Sequence, residues 1–211
     1  MTIKSEVLNL TTPPSRLMYS WMVNADTKYE PKWKVTLLVP QDQSEDIASQ
    51  LTEYWERFKA ALKQESPDKK FKANELPFGY ETIQDGGEEI AAFVIKASMK
   101  VGGINKKGEP WKNIPPVLFD EEHGSQPVPE SAKAKYDKIG PGSIGQASIR
   151  CQGYSGEYGV GIKLQPQALM IRKFVEYSSQ PQDAAGYGFD TQSTSETPKA
   201  SKAPVSSDYD F

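Results

Sequence analysis

The sequence predicts a mainly β fold: a small antiparallel barrel with one amphipathic helix, long loops and a disordered acidic tail. Three observations predict it. Five stretches alternate apolar and polar residues with period two, one stretch recurs at helical spacing, and the residues from Gln180 onward lose almost all aliphatic content. At 211 residues the chain has the length of one domain with appendages.

The elements follow in order. Residues 16–23 set Leu17, Tyr19 and Trp21 against Met18, Ser20 and Met22, a strand with both faces partly apolar, and Asn24-Ala25-Asp26 reads as the turn after it. Residues 32–39 put Trp33, Val35, Leu37 and Val39 on one face and Lys32, Lys34, Thr36 and Leu38 on the other; Pro40 ends the run. Ser44 is placed to cap a helix of about five turns, with Glu45 and Asp46 in its first turn and Ile47, Leu51, Tyr54, Trp55, Phe58 and Leu62 on its apolar stripe. A polar, turn-rich stretch runs through Asp85-Gly86-Gly87. Residues 89–101 then read as a strand with Phe93, Ile95, Ala97 and Met99 opposite Val94, Lys96, Ser98 and Lys100. Residues 102–142 read as a long irregular loop, the kind that usually carries function. Residues 143–154 and 159–176 complete the strands, joined by a turn at Gly153-Tyr154-Ser155-Gly156.

Five strands and one helix suit a barrel better than an alternating α/β arrangement. The OB-fold, a five-stranded partly open barrel whose surface and loops bind oligonucleotides, is the leading architecture. Its simplest form places the helix between the third and fourth strands, whereas this helix precedes the third. Either a short strand within residues 72–83 shifts the count or the fold is a variant. Residues 1–177 form the barrel domain and carry 23 basic and 23 acidic side chains; residues 178–211, with two Lys and five Asp or Glu, hold the whole net charge of −3.

Composition excludes several chemistries. One Cys permits no internal disulfide, and the N-terminus shows no basic-then-apolar signal segment, so an intracellular setting is expected. No apolar run approaches the ~18 residues that cross a bilayer. One His and one Cys cannot build a zinc site, and no metal or cofactor is expected. His123 reads as a solvated loop residue, and Glu88-Glu89 and Glu121-Glu122, adjacent on extended chain, point to opposite faces rather than forming an acid/base pair. Residues 140–145 match a dinucleotide-binding glycine pattern but open a strand, where that chemistry needs a helix. No active site is evident, and the reading is non-enzymatic.

What remains is a binding surface. A protein indifferent to base sequence needs cations along a groove with exposed rings between them. Lys32, Trp33 and Lys34 are consecutive; Lys106, Lys107, Trp111 and Lys112 share the long loop; Lys96 and Lys100 share a strand face; Arg150, Tyr154 and Tyr158 fall on and after the fourth strand. Trp33 shares a face with Val35 and Leu37, which leaves core and groove equally open, whereas Trp111, between Pro110 and Lys112, is placed at the groove. The neutral body argues against duplex binding driven by bulk charge. A virion structural or assembly protein would share the β-rich outline but would need no Lys and aromatic groove; a strand-annealing recombination protein is the nearer alternative, compatible with the same molecule carrying a second activity.

The residues also carry a resemblance. Residues 139–143 (Ile-Gly-Pro-Gly-Ser), the later Gly159-Val160-Gly161-Ile162-Lys163-Leu164-Gln165 and Ala168-Leu169-Met170-Ile171 resemble the C-terminal half of phage single-stranded DNA-binding proteins. Lys34-Val35-Thr36-Leu37-Leu38-Val39-Pro40, Ile95-Lys96-Ala97-Ser98 and Pro116-Val117-Leu118-Phe119-Asp120 fall in the order of that family. The likeness implies an OB-fold protein of T-odd-type podophages, in the cytoplasm of the infected host, that coats strands in replication, recombination and repair, often as a homodimer. It implies that the ending Asp208-Tyr209-Asp210-Phe211 docks on the phage polymerase and primase-helicase. The likeness also implies that the tail competes with DNA for the basic groove, but this tail departs from the dense acidic ends of the family, with two acids in its final six residues and Lys199 and Lys202 upstream, so partner docking outweighs that competition.

Overall fold

Alternation in the sequence becomes pairing in space. The computed structural model describes residues 6–85 and 88–177, and among them the strands are β1 (Val7–Thr11), β2 (Ser15–Asp26), β3 (Lys32–Pro40), β4 (Phe78–Asp85), β5 (Glu88–Lys100), β6 (Gly102–Ile104), β7 (Pro110–Lys112), β8 (Val117–Asp120), β9 (Ile144–Gly156) and β10 (Gly159–Lys173). The helices are α1 (Glu45–Glu65) and the single turn α2 (Glu130–Lys133). The main sheet runs β4-β5-β3-β2-β9-β10-β8, with β1 added to β9. Its five longest members, β5-β3-β2-β9-β10, are the five strands read from the sequence. They lie in the order of an OB-fold, antiparallel throughout, with β5 and β10 approaching each other without a hydrogen-bonded ladder.

The inward faces hold the core. Leu17, Val35, Leu37, Ile95, Ile149, Leu164 and Leu169 are fully buried, and α1 lays Ile47, Leu51, Tyr54, Trp55, Phe58 and Leu62 against them, the stripe that its spacing predicts. Gly153 on β9 is required where the helix docks: a Cβ there would stand 2.5 Å from the Phe58 ring. The Gly153 amide donates to the Tyr54 hydroxyl at 2.9 Å, and that hydroxyl donates to the Glu6 carbonyl. A second, smaller apolar cluster of Leu38, Ala92 and Val94 lies on the outward face of β3 and β5, flanked by Met18, Ile83 and Ile90.

Several expectations are corrected. β4 is the short strand suspected within residues 72–83, but it pairs only with β5 at the sheet edge, so α1 still connects the second and third barrel strands and the fold is a variant. β1 has no clean alternation and acquires its strand geometry from pairing with β9. Residues 102–142 are not irregular: they hold the β6–β7 hairpin, β8 parallel to β10, and α2. β2 continues through Asp26, so the turn falls at 27–31, and Gly153-Tyr154-Ser155-Gly156 belongs to β9, the turn being Glu157-Tyr158. Ser44 precedes α1, yet its hydroxyl donates to the Gln41 carbonyl at 2.8 Å and lies 3.1 Å from the Tyr80 hydroxyl instead of capping the helix. As the sequence predicts, the glycine pattern at 140–145 leads into a strand, with Gly142 at φ +88° in the preceding turn. Residues 178–211, including Asp208, Tyr209, Asp210 and Phe211, lie outside the described residues, as do Gly86 and Gly87.

Candidate nucleic-acid interface

Strand alternation places Lys32, Lys34 and Thr36 of β3 and Lys96, Ser98 and Lys100 of β5 on one outward face, with Lys32 directly opposite Lys100, Lys34 opposite Ser98 and Thr36 opposite Lys96. Trp21 of β2 joins this face opposite Lys34, whose ammonium lies 5.9 Å from the indole centroid. Trp33 points the other way. It is only 5% exposed, paired with the equally buried Met99, and presents no ring to a base. The open choice for Trp33 is thereby decided for the core, and Trp21, 42% exposed, takes the place expected of it.

The lysines of this face are not free. Lys34 pairs with Asp26, Lys100 with Glu30 at 2.6 Å, Lys32 with Glu30 at 3.4 Å and Lys96 with Glu81 at 2.7 Å. The Lys34 hydrogen bond holds the Asp26 carboxyl below its ordinary value, and the Lys100 hydrogen bond does the same for Glu30. Between β2 and β3 the loop 27–31 carries Tyr29, 81% exposed, with the Lys28 ammonium 5.6 Å from its centroid.

The hairpin continues from the Lys100 end of β5. Asn113 ties its base down, donating its amide to the Val101 carbonyl at 2.9 Å and its side chain to the Lys100 carbonyl at 2.8 Å. Lys106 and Lys107 sit exposed in the turn at its tip, where the Asn105 side chain accepts from the Lys107 and Glu109 amides. Trp111, 38% exposed, lies opposite Gly103, and its ring covers that glycine: a Cβ there would be 3.2 Å from the indole. Trp111 and Lys112 are consecutive strand residues and point to opposite faces of the ribbon, so they do not form the single contact that their adjacency suggests.

The outward face of β9 and β10 holds Arg150 and Lys163 on a diagonal, two residues apart in register, with Arg150 opposite Gln165 and Lys163 opposite Gln152. Neither has a carboxylate partner among the described residues, in contrast to the β3–β5 lysines. Burial, and secondly the Arg150 charge, lower the Lys163 pKa. Tyr154 lies on the same strand face with its ring over Gly161, and its hydroxyl accepts from the Asn74 side chain at 3.1 Å. Tyr158 stands in the β9–β10 turn, 86% exposed. In OB-folds the second and third strands, with the loops between strands one and two and between strands four and five, contact oligonucleotides. Here those positions are β3, β5, the loop 27–31 and Glu157-Tyr158, which bring Tyr29 and Tyr158 into the set. Sequence reasoning missed Trp21, Lys28, Tyr29 and Lys163; an aromatic beside a lysine in a predicted turn was the signal available for Tyr29.

The carboxylates elsewhere serve the fold. The ligand atoms of Asp120, Glu122 and His123 lie within 4.8 Å of one another, but Asp120 already accepts the His123 amide and ring Nδ1 at 2.8 Å each and the Tyr136 hydroxyl at 2.6 Å. His123 is therefore a partly buried member of a hydrogen-bond network rather than the solvated loop residue expected. Burial pushes the Asp120 pKa up, but the donated hydrogen bonds outweigh it and leave the carboxyl below its ordinary value.

No family model matches the sequence, and no curated protein matches it. Solved structures do. The gp2.5 single-stranded DNA-binding protein encoded by bacteriophage T7 superposes with a TM-score of 0.60 at 18% identity, over 93% of this chain and 100% of its own. The single-stranded DNA-binding protein of bacteriophage Enc34 gives 0.55 at 18% identity, covering 88% of this chain and 91% of that one. The same Enc34 protein solved in complex with single-stranded DNA gives 0.56 at 18% identity, over 82% and 89%. The chain thus has the OB-fold of phage single-stranded DNA-binding proteins, as its sequence resemblance implies.

Proposed function

We propose that the protein binds single-stranded DNA without sequence preference and without catalysis, holding phosphates with lysines and arginine and stacking bases on exposed rings. The observation that carries this is the convergence of Trp21, Lys32, Lys34, Lys96 and Lys100 on the OB-fold face that contacts oligonucleotides, in a fold shared with a protein solved on single-stranded DNA. In the infected host cytoplasm it coats strands during replication, recombination and repair. The ending at Asp208, Tyr209, Asp210 and Phe211 docks on the phage polymerase and primase-helicase, and the protein works as a homodimer.

The test is anisotropy of a labelled thymidine strand of about 30 nucleotides against a duplex of the same length, over a salt series. The reading expects strand binding far tighter than duplex binding, with log affinity falling by about 0.7 per phosphate neutralised for each decade of salt. No strand binding at low salt would overturn it. Deleting residues 206–211 is expected to abolish association with the polymerase while strand binding survives; unchanged association would remove the docking role.

A further inference from the structure

The lysines of the proposed strand-binding face already hold anions, and one of these is placed as a phosphate would be. Lys32 and Lys100 stand directly opposite each other across β3 and β5, an arrangement of like charges that is unfavourable alone. Glu30 resolves it by splitting its carboxylate. Oε1 takes Lys100 at 2.6 Å and Oε2 takes Lys32 at 3.4 Å. Two oxygens on one centre, each facing one ammonium, is the arrangement in which the non-bridging oxygens of a backbone phosphate would meet these two cations.

Glu30 is also built to leave. It sits on the loop 27–31, whose ends are fixed: the Lys28 amide donates to Asp26 Oδ1 at 3.0 Å, and the Pro31 carbonyl accepts from the Val101 amide at 2.9 Å. Tyr29 and Glu30 project between these anchors. The side chains of Glu30, Lys32 and Lys100 are all close to half exposed, so exchange of one anion for another needs no opening of the core.

We infer that Glu30 is a resident phosphate mimic, which occupies the Lys32–Lys100 pair in the free protein and is displaced by the backbone of a bound strand. The inference rests on the single-stranded DNA reading and adds a selectivity to it. Replacing one carboxylate by one phosphodiester, each a single negative charge, changes the local charge little, so an isolated diester gains almost nothing at this position. A strand gains because its neighbouring phosphates and stacked bases are held at the same time. Glu30 therefore discriminates polyanions from single phosphates, and Asp26 on Lys34 and Glu81 on Lys96 extend the same exchange along the face.

The experiment compares the full chain with Glu30→Gln and with Glu130→Gln on α2, which removes the same charge elsewhere. Strand affinity is measured over a salt series with a thymidine strand of about 30 nucleotides and with the thymidine dinucleotide, which holds one phosphodiester. Glu30→Gln is expected to bind the strand about 3- to 10-fold more tightly at low salt, because the phosphate no longer competes with a carboxylate for Lys32 and Lys100. It is also expected to gain measurable affinity for the dinucleotide, while Glu130→Gln stays within about 1.5-fold of the unmodified chain. If the unmodified chain binds strands and Glu30→Gln binds them equally or more weakly, or if Glu130→Gln shows the same gain, the inference is overturned and the binding function stands. If none of the three binds a strand, the functional reading falls and the inference falls with it.

Discussion

Trp21 and Trp111 are predicted to report strand binding, and Trp33 and Trp55 to be silent. The four tryptophans divide by burial: Trp33 and Trp55 are 5% and 7% exposed, while Trp21 and Trp111 present 42% and 38% of their surface. A base can stack only on an accessible face, so at most two of the four emitters respond to an added strand. Replacing both exposed tryptophans by Phe retains a stacking surface and removes the reporters. The double variant is expected to bind with nearly unchanged affinity and to lose the strand-dependent quench. Replacing Trp21 by Ala removes the surface itself, and stacking worth about 1–3 kcal/mol per base corresponds to roughly 5- to 150-fold weaker binding. Because the Trp21 ring lies outside the core, the Ala variant should melt close to the unmodified protein, which separates a lost contact from a lost fold. The assay is intrinsic fluorescence titrated with a thymidine strand, paired with anisotropy of a labelled strand. A quench that persists in the double Phe variant, or full affinity in Trp21→Ala, would refute the assignment of this face.

Three further outcomes follow from the geometry. Arg150→Ala and Lys163→Ala, each removing a cation without a carboxylate partner among the described residues, should each flatten the salt slope by about 0.7 if they hold phosphates; an unchanged slope would place them outside the interface. Gly153→Ala would drive a methyl group to within 2.5 Å of the Phe58 ring, and the overpacking should cost about 1–3 kcal/mol, read as a lowered melting temperature with strand affinity per folded molecule intact. For Asp120, a carboxyl whose folded pKa is depressed adds stability above its unfolded value of about 3.9, and that contribution is lost as the pH falls through the lower folded value. Denaturation midpoints of Asp120→Asn and the unmodified protein should therefore converge at the acid end of a series from pH 7 down to pH 3; a constant difference would show that the carboxylate charge plays no part.

The residues that declared themselves in the sequence are those whose pattern is local. The α1 stripe from Ile47 to Leu62 and the alternation of β3 and β5 depend on periodicity alone, and the structure buries the residues so marked. Trp33 could not be placed that way. Its neighbours on the strand were apolar, but whether a layer covers that face depends on residues remote in sequence. Trp21 shows the converse: its strand alternates two partly apolar faces, and only pairing with Lys34 shows that it faces outward. Trp111 and Lys112 share the long loop in the sequence, yet a hairpin within that loop turns them to opposite faces.

By itself the sequence determined the fold class, the five barrel strands, the core-facing helix and the chemistry of the surface, because each of these is a property of residue type and short-range period. Tertiary structure alone decided which lysines meet which carboxylates. Asp26, Glu30 and Glu81 sit up to 70 residues from the cations they neutralise, and strand register, not sequence spacing, brings them together. The same register sets Arg150 and Lys163 on a diagonal across β9 and β10, opposite Gln165 and Gln152, with no carboxylate partner among the described residues. Charge composition fixes how many cations a chain owns, but pairing across a sheet fixes which of them are open to a phosphate.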